Sequence, residues 1–479
     1  MSIESAAVVS AVDRQRALRW LAVAIGSLLL AGGFALLLVV GRVPPLSLLI
    51  TDPGFFRRCL VVHVDLALVL WFYAFATALF VLIPSRTPPN PVGRWAVGLA
   101  TLGVVLLMVS AALPGVRPVL ANYVPVLDHP LYLAGLLAIA GGLVGSLLDA
   151  RLLPGSEPVA WVAPGGRPLL PAAAVPWLRA SAIAILVAFV TFGASAAATP
   201  AGLGPQAHYE ALMWGGGHVL QLASVAAMLA VWILLLTPVL GRSPVGRGTS
   251  ALLAGALVTP LLGAPLLSSM GTSTLAYHVG FTRLMQLGIA PIVLAFLFLC
   301  GRALWRHHRV AGARRGLDVR VTGFVASAGL TLLGFGLGAA IHGSNTVVPA
   351  HYHASIGGVT VAFMAATYPL LEALGLPAAP GRLARLAPWQ PLMLGVGQLV
   401  FASGFALAGA HGMARKSYAT EQQVRSLAEH VGLGVMGLGG VLAILGGLSF
   451  LVIIGAIVHR HLRAAASPSG LEPIHPTTR

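Results

Sequence analysis

The segment VPAHYHASIGGVTVAF, residues 348–363, is the most informative stretch of the chain. Its first turn places His351 and His353 two residues apart, at the start of a largely apolar run. Each residue of an α-helix turns by about 100°, so two imidazoles at this spacing point to opposite sides of the helix. Neutral imidazole is a good axial ligand for haem iron. The pair can therefore hold two haems on opposite faces of one helix, or it can be two unrelated interfacial histidines.

This segment is one of many long apolar runs. Hydrophobic residues make up 57% of the 479 residues and charged residues only 9%, too little charge to cover a soluble protein of this length. A helix needs about 20 apolar residues to cross a bilayer. We predict an all-α polytopic membrane protein, with 1–479 as a single transmembrane domain. Its roughly twelve spans are predicted at 18–41, 59–83, 95–113, 131–149, 180–198, 209–237, 250–268, 279–301, 321–341, 351–375, 391–410 and 431–458.

The charge pattern predicts an orientation in the membrane. The formal net charge is +16, from 29 Lys and Arg against 13 Asp and Glu. The basic residues are scattered between apolar runs, which argues against nucleic-acid binding. If the N-terminus is cytoplasmic, 21 of the 29 basic residues lie on the cytoplasmic side, as the positive-inside rule requires. We therefore predict a bacterial-type inner (plasma) membrane protein with short cytoplasmic tails at both ends.

Cys59 and Cys300 form no CxxC or CxxCH motif, which excludes a disulfide framework and disfavours covalent c-type haem.

Five histidines are predicted to lie toward the outer leaflet. They are near the starts of even-numbered spans, which run from outside to inside in this orientation. Ionisable side chains within a bilayer are costly and usually functional. A single buried histidine is more often a hydrogen-bonded core residue than a ligand, but five at one end favour a ligand site. They are His63 in span 2, His218 in span 6, His278 in span 8, and His351 and His353 in span 10.

Three further segments join 348–363 in resembling subunit I of the haem-copper oxidase superfamily, in the same helix order. They are HVDLALVLWFYAF at 63–75, WGGGHVLQ at 214–221 and GMARKSY at 412–418. The resemblance implies a helical bundle of about twelve spans with two haems.

The resemblance also implies the roles of single residues. His351 would bind the high-spin haem of the active site, and His353 and His63 would bind the low-spin haem. His218 would bind a second metal, copper or non-haem iron, and His351 and His218 would form the catalytic pair. The basic pair Arg415 and Lys416 would bind haem propionates, which suits two cations near haems held at that surface.

The chain departs from the family pattern at the second metal. The family's pair of histidines in span 7 is absent, and an ungapped comparison places Leu266 and Leu267 there. One imidazole binds copper or iron poorly, because a stable site usually needs three or more ligands. Either His278 or His208 folds back as a substitute ligand, with His278 the nearer, or the site is degenerate. The family's span 6 tyrosine is also missing; Leu222 takes its place, and Tyr209 and Tyr277 lie outside the motif.

The usual proton routes are also altered. The only lysine is Lys416, in the predicted outer loop, and the glutamate that follows the span 6 histidine by two residues is replaced by Leu220. The nearest acidic residue, Glu210, is either a proton donor to a buried oxygen site or an interfacial cap of the span.

These observations predict a haem-containing respiratory membrane oxidoreductase subunit that reduces O2 or NO at the haem on His351. It would be a terminal oxidase of the cytochrome c or quinol type, or resemble nitric oxide reductase. Electrons would come from an electron-donating subunit, cytochrome c or quinol, beside other oxidase-like subunits. The alternative is a non-catalytic dihaem membrane cytochrome with a degenerate second metal site. A third class, a transporter without haem, would make the histidines coincidental.

Overall fold

The computed structural model describes residues 10–40, 53–85, 90–155, 169–311, 316–415 and 424–466. Within these ranges, twelve helices are long and apolar enough to cross a membrane, which confirms the predicted number of spans. In chain order they are spans 1 to 12: Ala11–Leu38, Gly54–Phe80, Gly93–Ala112, Pro130–Leu147, Val175–Ala198, Pro205–Leu240, Arg247–Ser269, Leu275–Arg309, Val319–Ala339, Val347–Ala373, Gln390–Ala410 and Leu427–Ala465.

Two spans are not regular α-helices along their whole length. Span 2 consists of an α-helix over Pro53–Val64, a π-helical segment over Asp65–Leu70 and a second α-helix over Trp71–Phe80. Span 7 contains a 3₁₀ segment, Thr259–Gly263, between α-helices Arg247–Val258 and Ala264–Ser269. Pro260 explains the second interruption, because proline has no N–H for an α-helical hydrogen bond.

The segments outside the spans are short. A 3₁₀ helix, Ala150–Leu152, follows span 4, and a six-residue α-helix, Gly381–Leu386, follows span 10. Strands β1, Arg117–Val119, and β2, Val126–Asp128, form an antiparallel hairpin between spans 3 and 4. Span 4 then begins at Pro130, with the His129 side chain accepting a hydrogen bond from the Leu131 N–H at 3.2 Å. The hairpin therefore lies between two span ends on one side of the bundle.

The spans with the candidate ligands form the centre of the bundle. The most apolar stretch of span 6 is 83% buried, that of span 10 is 78% buried and that of span 2 is 67% buried, whereas no other span exceeds 44%. A helix that is apolar on all sides is expected to be enclosed by other helices. The central position of these three spans brings their histidines together at the end where spans 2, 6, 8 and 10 begin, which we call the histidine end.

The opposite end is held by buried arginine. Arg151, which is 2% exposed, lies with its Nη2 atom 2.8 Å from Asp13 and its Nη1 atom 3.1 Å from Asp149. Arg14 donates from Nε to the carbonyl oxygen of Leu374 at the end of span 10. These contacts join the start of span 1 to the ends of spans 4 and 10. That this end faces the cytoplasm remains a prediction from the charge pattern.

Candidate haem-binding site

His351 is oriented by a neighbouring helix. It lies in the second turn of span 10, and its Nδ1 atom is 2.7 Å from the carbonyl oxygen of Gly334 in span 9. A carbonyl oxygen can only accept, so Nδ1 carries the proton and the lone pair of the neutral ring is on Nε2. A histidine that donates its other N–H to a backbone carbonyl is typical of metal-ligating histidines. The chemistry of this imidazole therefore fits an axial haem ligand.

His63 shows the same arrangement from a different pair of spans. Its Nδ1 atom lies 2.8 Å from the carbonyl oxygen of Ala31 in span 1. Nδ1 must again be the donor, which leaves Nε2 as the free electron-pair donor. Two histidines from separate helices are thus held in the tautomer that binds iron through Nε2.

His353 faces a different set of neighbours from His351. Its ring lies 4.5 Å from the ring of Phe401 and 6.2 Å from that of Phe405, both in span 11. Its imidazole also interacts electrostatically with His63. The structure therefore brings His63 and His353 into one region, while His351 is hydrogen-bonded to span 9. Imidazoles in this arrangement fit a low-spin haem between spans 2 and 10 and a second haem on His351.

Arg415 lies beside these histidines. Its Nε atom donates a 2.9 Å hydrogen bond to Ser344 Oγ, and its guanidinium group interacts electrostatically with Tyr352, the residue between the two span 10 histidines. A backbone bridge between Asn345 and Ala414 holds the two loops together. Arg415 is thus a cation at the histidine end, where haem carboxylates would need one. Lys416 lies outside the described residues.

His218 has both ring nitrogens engaged by protein groups. Its Nδ1 atom is 2.7 Å from the carbonyl oxygen of Trp214, and its Nε2 atom is 2.8 Å from the hydroxyl oxygen of Tyr123. Desolvation inside the bundle raises the pKa of Tyr123 well above its usual value, so the phenol stays protonated. Because Nδ1 must donate to the carbonyl, Nε2 accepts from the phenol. His218 is only 2% exposed, and its hydrogen bonds are complete without a metal.

The two other candidate ligands for a second metal, His278 and His208, lie in different surroundings. The His278 ring lies 5.2 Å from the Trp214 ring and interacts electrostatically with His218. The His208 ring lies against Tyr209, at 5.3 Å between ring centroids. Leu266 in span 7 is 69% exposed. In the ranges that the structure describes, no three His, Cys, Asp or Glu side chains are grouped so that they could hold a metal ion.

Two tyrosines at this site were not assigned a role from the sequence. Tyr123 comes from the hairpin between spans 3 and 4. The Tyr277 hydroxyl is inserted into the backbone of span 6, where it accepts from the Gly215 N–H at 2.8 Å and donates to the Ala211 carbonyl at 2.8 Å. It takes the place of the helical hydrogen bond between those two residues, one turn before His218. The short run LANYVPV, residues 120–126, is a hairpin-like signal, but nothing in it indicates which helix the tyrosine reaches.

Glu210 is attached to the same hairpin. It accepts hydrogen bonds from the Asn122 backbone N–H at 3.0 Å and from the Asn122 side-chain amide. This contact joins the first turns of span 6 to the loop that carries Tyr123.

Comparison with solved structures places this bundle among the haem-copper oxidases in fold. The chain has the fold of haem-copper oxidase subunit I: it matches a heme-copper terminal oxidase, determined as a dimer by cryo-EM, with a TM-score of 0.69. The match covers 94% of this chain and 84% of the other at 14% sequence identity. At that identity the likeness establishes the fold and no more.

Relatives by sequence carry no functional name. An uncharacterized protein of Aquifex aeolicus is 29% identical over 383 residues, covering 78% of this chain and 89% of its own. An uncharacterized protein of Rickettsia prowazekii is 25% identical over 507 aligned positions, covering 91% of this chain and 94% of its own. No family model matches the chain.

Proposed function

We propose that the chain is the haem-carrying subunit of a respiratory membrane oxidoreductase that binds and reduces O2 or NO. Two haems would be held, a low-spin haem between His63 and His353 and a high-spin haem on His351. The observation that carries the proposal is the pair of Nδ1 hydrogen bonds, from His351 to Gly334 and from His63 to Ala31. Both leave Nε2 as the electron-pair donor at the centre of a bundle with an oxidase fold.

The chain's own residues would orient and neutralise the cofactors. Bound haem would supply the redox and gas-binding chemistry. Backbone carbonyl oxygens of spans 1 and 9 orient the imidazoles of His63 and His351. These two residues would therefore need no rearrangement to bind iron. Phe401 and Phe405 would provide an apolar wall beside His353, and Arg415 would compensate carboxylate charge at the histidine end.

The proposal extends to partners and location. The sequence contains no c-type haem motif. Electrons would therefore arrive from a donor subunit, from cytochrome c or from a quinol. Other oxidase-like subunits would cover part of the lipid-facing surface. The twelve spans make the chain an integral membrane protein; a bacterial-type inner membrane with both termini in the cytoplasm is part of the proposal.

The environment of His218 favours a second candidate function. Both of its nitrogens are engaged by Trp214 and Tyr123, as expected if the second metal site is degenerate. In that case the chain would be a dihaem membrane cytochrome that transfers electrons or binds a gas without reducing it.

The first experiment is a haem and metal count on the purified protein. Pyridine haemochrome spectra and mass spectrometry should give two haems per chain, and carbon monoxide should bind one of them. A preparation from cells supplied with haem that contains none would overturn the proposal. Consumption of O2 or NO with a reduced donor supports the oxidoreductase, whereas carbon monoxide binding without either turnover supports the dihaem cytochrome.

Single substitutions then test each ligand. We expect His351→Ala to lose the carbon monoxide-binding haem and to keep the low-spin spectrum. His63→Ala and His353→Ala should do the reverse. The exposed His411, at the same end of the bundle, gives the matched control, and His411→Ala should keep both spectra. Retention of carbon monoxide binding in His351→Ala, with its loss in His218→Ala, would contradict the assignment.

A further inference from the structure

The place of the missing second metal is filled by a hydrogen-bonded side-chain pair. His218 uses Nδ1 on its own helix and Nε2 on the Tyr123 hydroxyl, so neither nitrogen has an electron pair available for a metal. The two rings are in contact, with centroids 4.4 Å apart. A metal at His218 would have to displace the tyrosine, and no three-ligand group among the described residues would stabilise it there. The residues present therefore do not fit a second metal.

The backbone is strained in order to place Tyr123 at this position. Tyr123 has φ +71°, and it is the only residue other than glycine with a positive φ in the described ranges. A bulky side chain rarely adopts this conformation, which is unfavourable and persists only where the surroundings enforce it. Such strain is concentrated at functional sites. The conformation of Tyr123 therefore indicates a requirement for its phenol at His218.

Hydrogen bonds from span 6 enforce the conformation. Glu210 accepts from both the backbone and the side chain of Asn122, directly before Tyr123. Tyr209 donates to Asp128 at 2.8 Å, at the base of the hairpin. The hairpin is thus attached to the second turn of span 6 at its tip and at its base.

Span 6 also provides the space for the tyrosine ring. Gly217 lies directly under it: a Cβ atom at this position would be 2.4 Å from Tyr123 Cβ and 2.7 Å from Tyr123 Cγ. The Trp214 ring closes the other side at 5.8 Å. Any side chain at position 217 would displace Tyr123 from His218. The sequence WGGGH therefore contains both the histidine and the glycine that leaves room for Tyr123 beside it.

We propose that Tyr123 is a positioning residue that holds His218 in a metal-free hydrogen-bonded pair, so that the chain binds no copper or non-haem iron at His218. Tyr123 also interacts electrostatically with Tyr352 and Arg415, beside the span 10 ligands. A gas bound at the proposed haem on His351 would then meet a protein hydrogen-bonding pair in place of a second metal ion. Only this last consequence rests on the proposed function; the pair itself does not.

Ultraviolet resonance Raman spectroscopy of the purified protein tests the hydrogen bond. The wild-type minus Tyr123→Phe difference spectrum should contain the signature of a tyrosine that donates to a nitrogen acceptor. The same substitution made in a His218→Leu background should lose that signature. In a Gly217→Ala background, the difference spectrum made by Tyr123→Phe should also lack the signature. In a Gly193→Ala background it should keep the signature, because a Cβ at Gly193 in span 5 meets nothing within 4 Å. A difference spectrum that is unchanged by the His218 substitution would overturn the pair.

Metal uptake tests the consequence. The wild-type protein and His218→Leu are incubated separately with Cu²⁺ and, without oxygen, with Fe²⁺, then desalted and analysed by mass spectrometry. Haem iron is counted independently from the haemochrome. We expect the two proteins to hold equal amounts of non-haem metal. One extra equivalent in the wild type that His218→Leu lacks would overturn the proposal. A protein without haem would refute the proposed function. The metal contents of the wild type and His218→Leu could still be compared in that case.

Discussion

The Nδ1 atom of His351 lies 2.7 Å from the carbonyl oxygen of Gly334. The orientation of a span 10 imidazole therefore depends on the backbone of span 9. Because altering a group that orients a metal ligand typically lowers metal affinity by about 10- to 100-fold, small changes in span 9 should be visible in the spectrum of the haem proposed on His351. Changes of this kind should leave the proposed low-spin haem unaltered, since the His63 imidazole is hydrogen-bonded to span 1.

Gly338 gives the most direct test of that dependence. A Cβ atom at Gly338 would be 3.0 Å from both Nδ1 and Cε1 of His351, so alanine must shift the imidazole. We expect Gly338→Ala to weaken carbon monoxide or haem binding at His351 by about 10-fold or more, measured by optical titration. Gly336 is the matched control in the same helix, because its Cβ would meet nothing within 4 Å. Equal effects of Gly336→Ala and Gly338→Ala would show that helix propensity, and not the imidazole, is responsible.

The buried carboxyl group of Asp65 predicts a stability effect. Tyr132 donates a hydrogen bond to Asp65 Oδ2, Oδ1 has no partner among the described residues, and Asp65 is 1% exposed. Tyr132→Phe would remove the one partner that the described residues give this carboxyl group, which costs about 1–3 kcal/mol of unfolding free energy. Asp65→Asn or Asp65→Leu in the Tyr132→Phe background should recover part of the loss. Chemical denaturation in detergent measures both; additive losses in the double variants would contradict the pairing.

Two ion pairs at the end of the bundle opposite the histidine end differ in burial. Arg151 pairs with Asp13 at 2.8 Å with both side chains buried, whereas Arg320 pairs with Asp318 at 3.4 Å with side chains 32% and 38% exposed. Removing one partner of a buried pair costs about 3–5 kcal/mol, and an exposed pair contributes about 0–1 kcal/mol. We expect Arg151→Met to lower the unfolding free energy strongly and Arg320→Met hardly at all. A similar loss in both variants would mean that burial does not set the difference.

The sequence was sufficient to predict the bundle. Each span is a long apolar run, and the number of runs follows from hydropathy without tertiary information. The ends were less well predicted: span 8 was expected over 279–301 and occupies Leu275–Arg309. Amphipathic ends explain the difference, since helices continue beyond the hydrocarbon core into segments that hydropathy does not mark. His278, one residue before the predicted start at 279, is consequently the fourth residue of the span, still at its beginning.

The candidate site was only partly predictable. His63, His351 and His353 are in recognisable local motifs, and the structure places His63 and His353 in one region. The hydroxyl groups of Tyr123 and Tyr277 reach span 6 across about 60 to 95 positions of the chain, and such long-range contacts leave no periodic trace in the sequence. The positive φ of Tyr123 was equally hidden, because that conformation normally signals glycine or asparagine. The hydrogen bonds of Glu210 to Asn122 likewise left no signal in the sequence.

The π-helical segment Asp65–Leu70 in span 2 has a consequence for the phase of that helix. A π turn behaves as one additional residue in an α-helix, and one residue corresponds to about 100° of rotation. His63 before the segment and Trp71 after it therefore do not share the helical phase that their spacing suggests. A helical wheel drawn straight through span 2 would assign one of them to the wrong face. Deletion of one residue from the segment should restore a regular helix and turn the His63 ring away from Ala31.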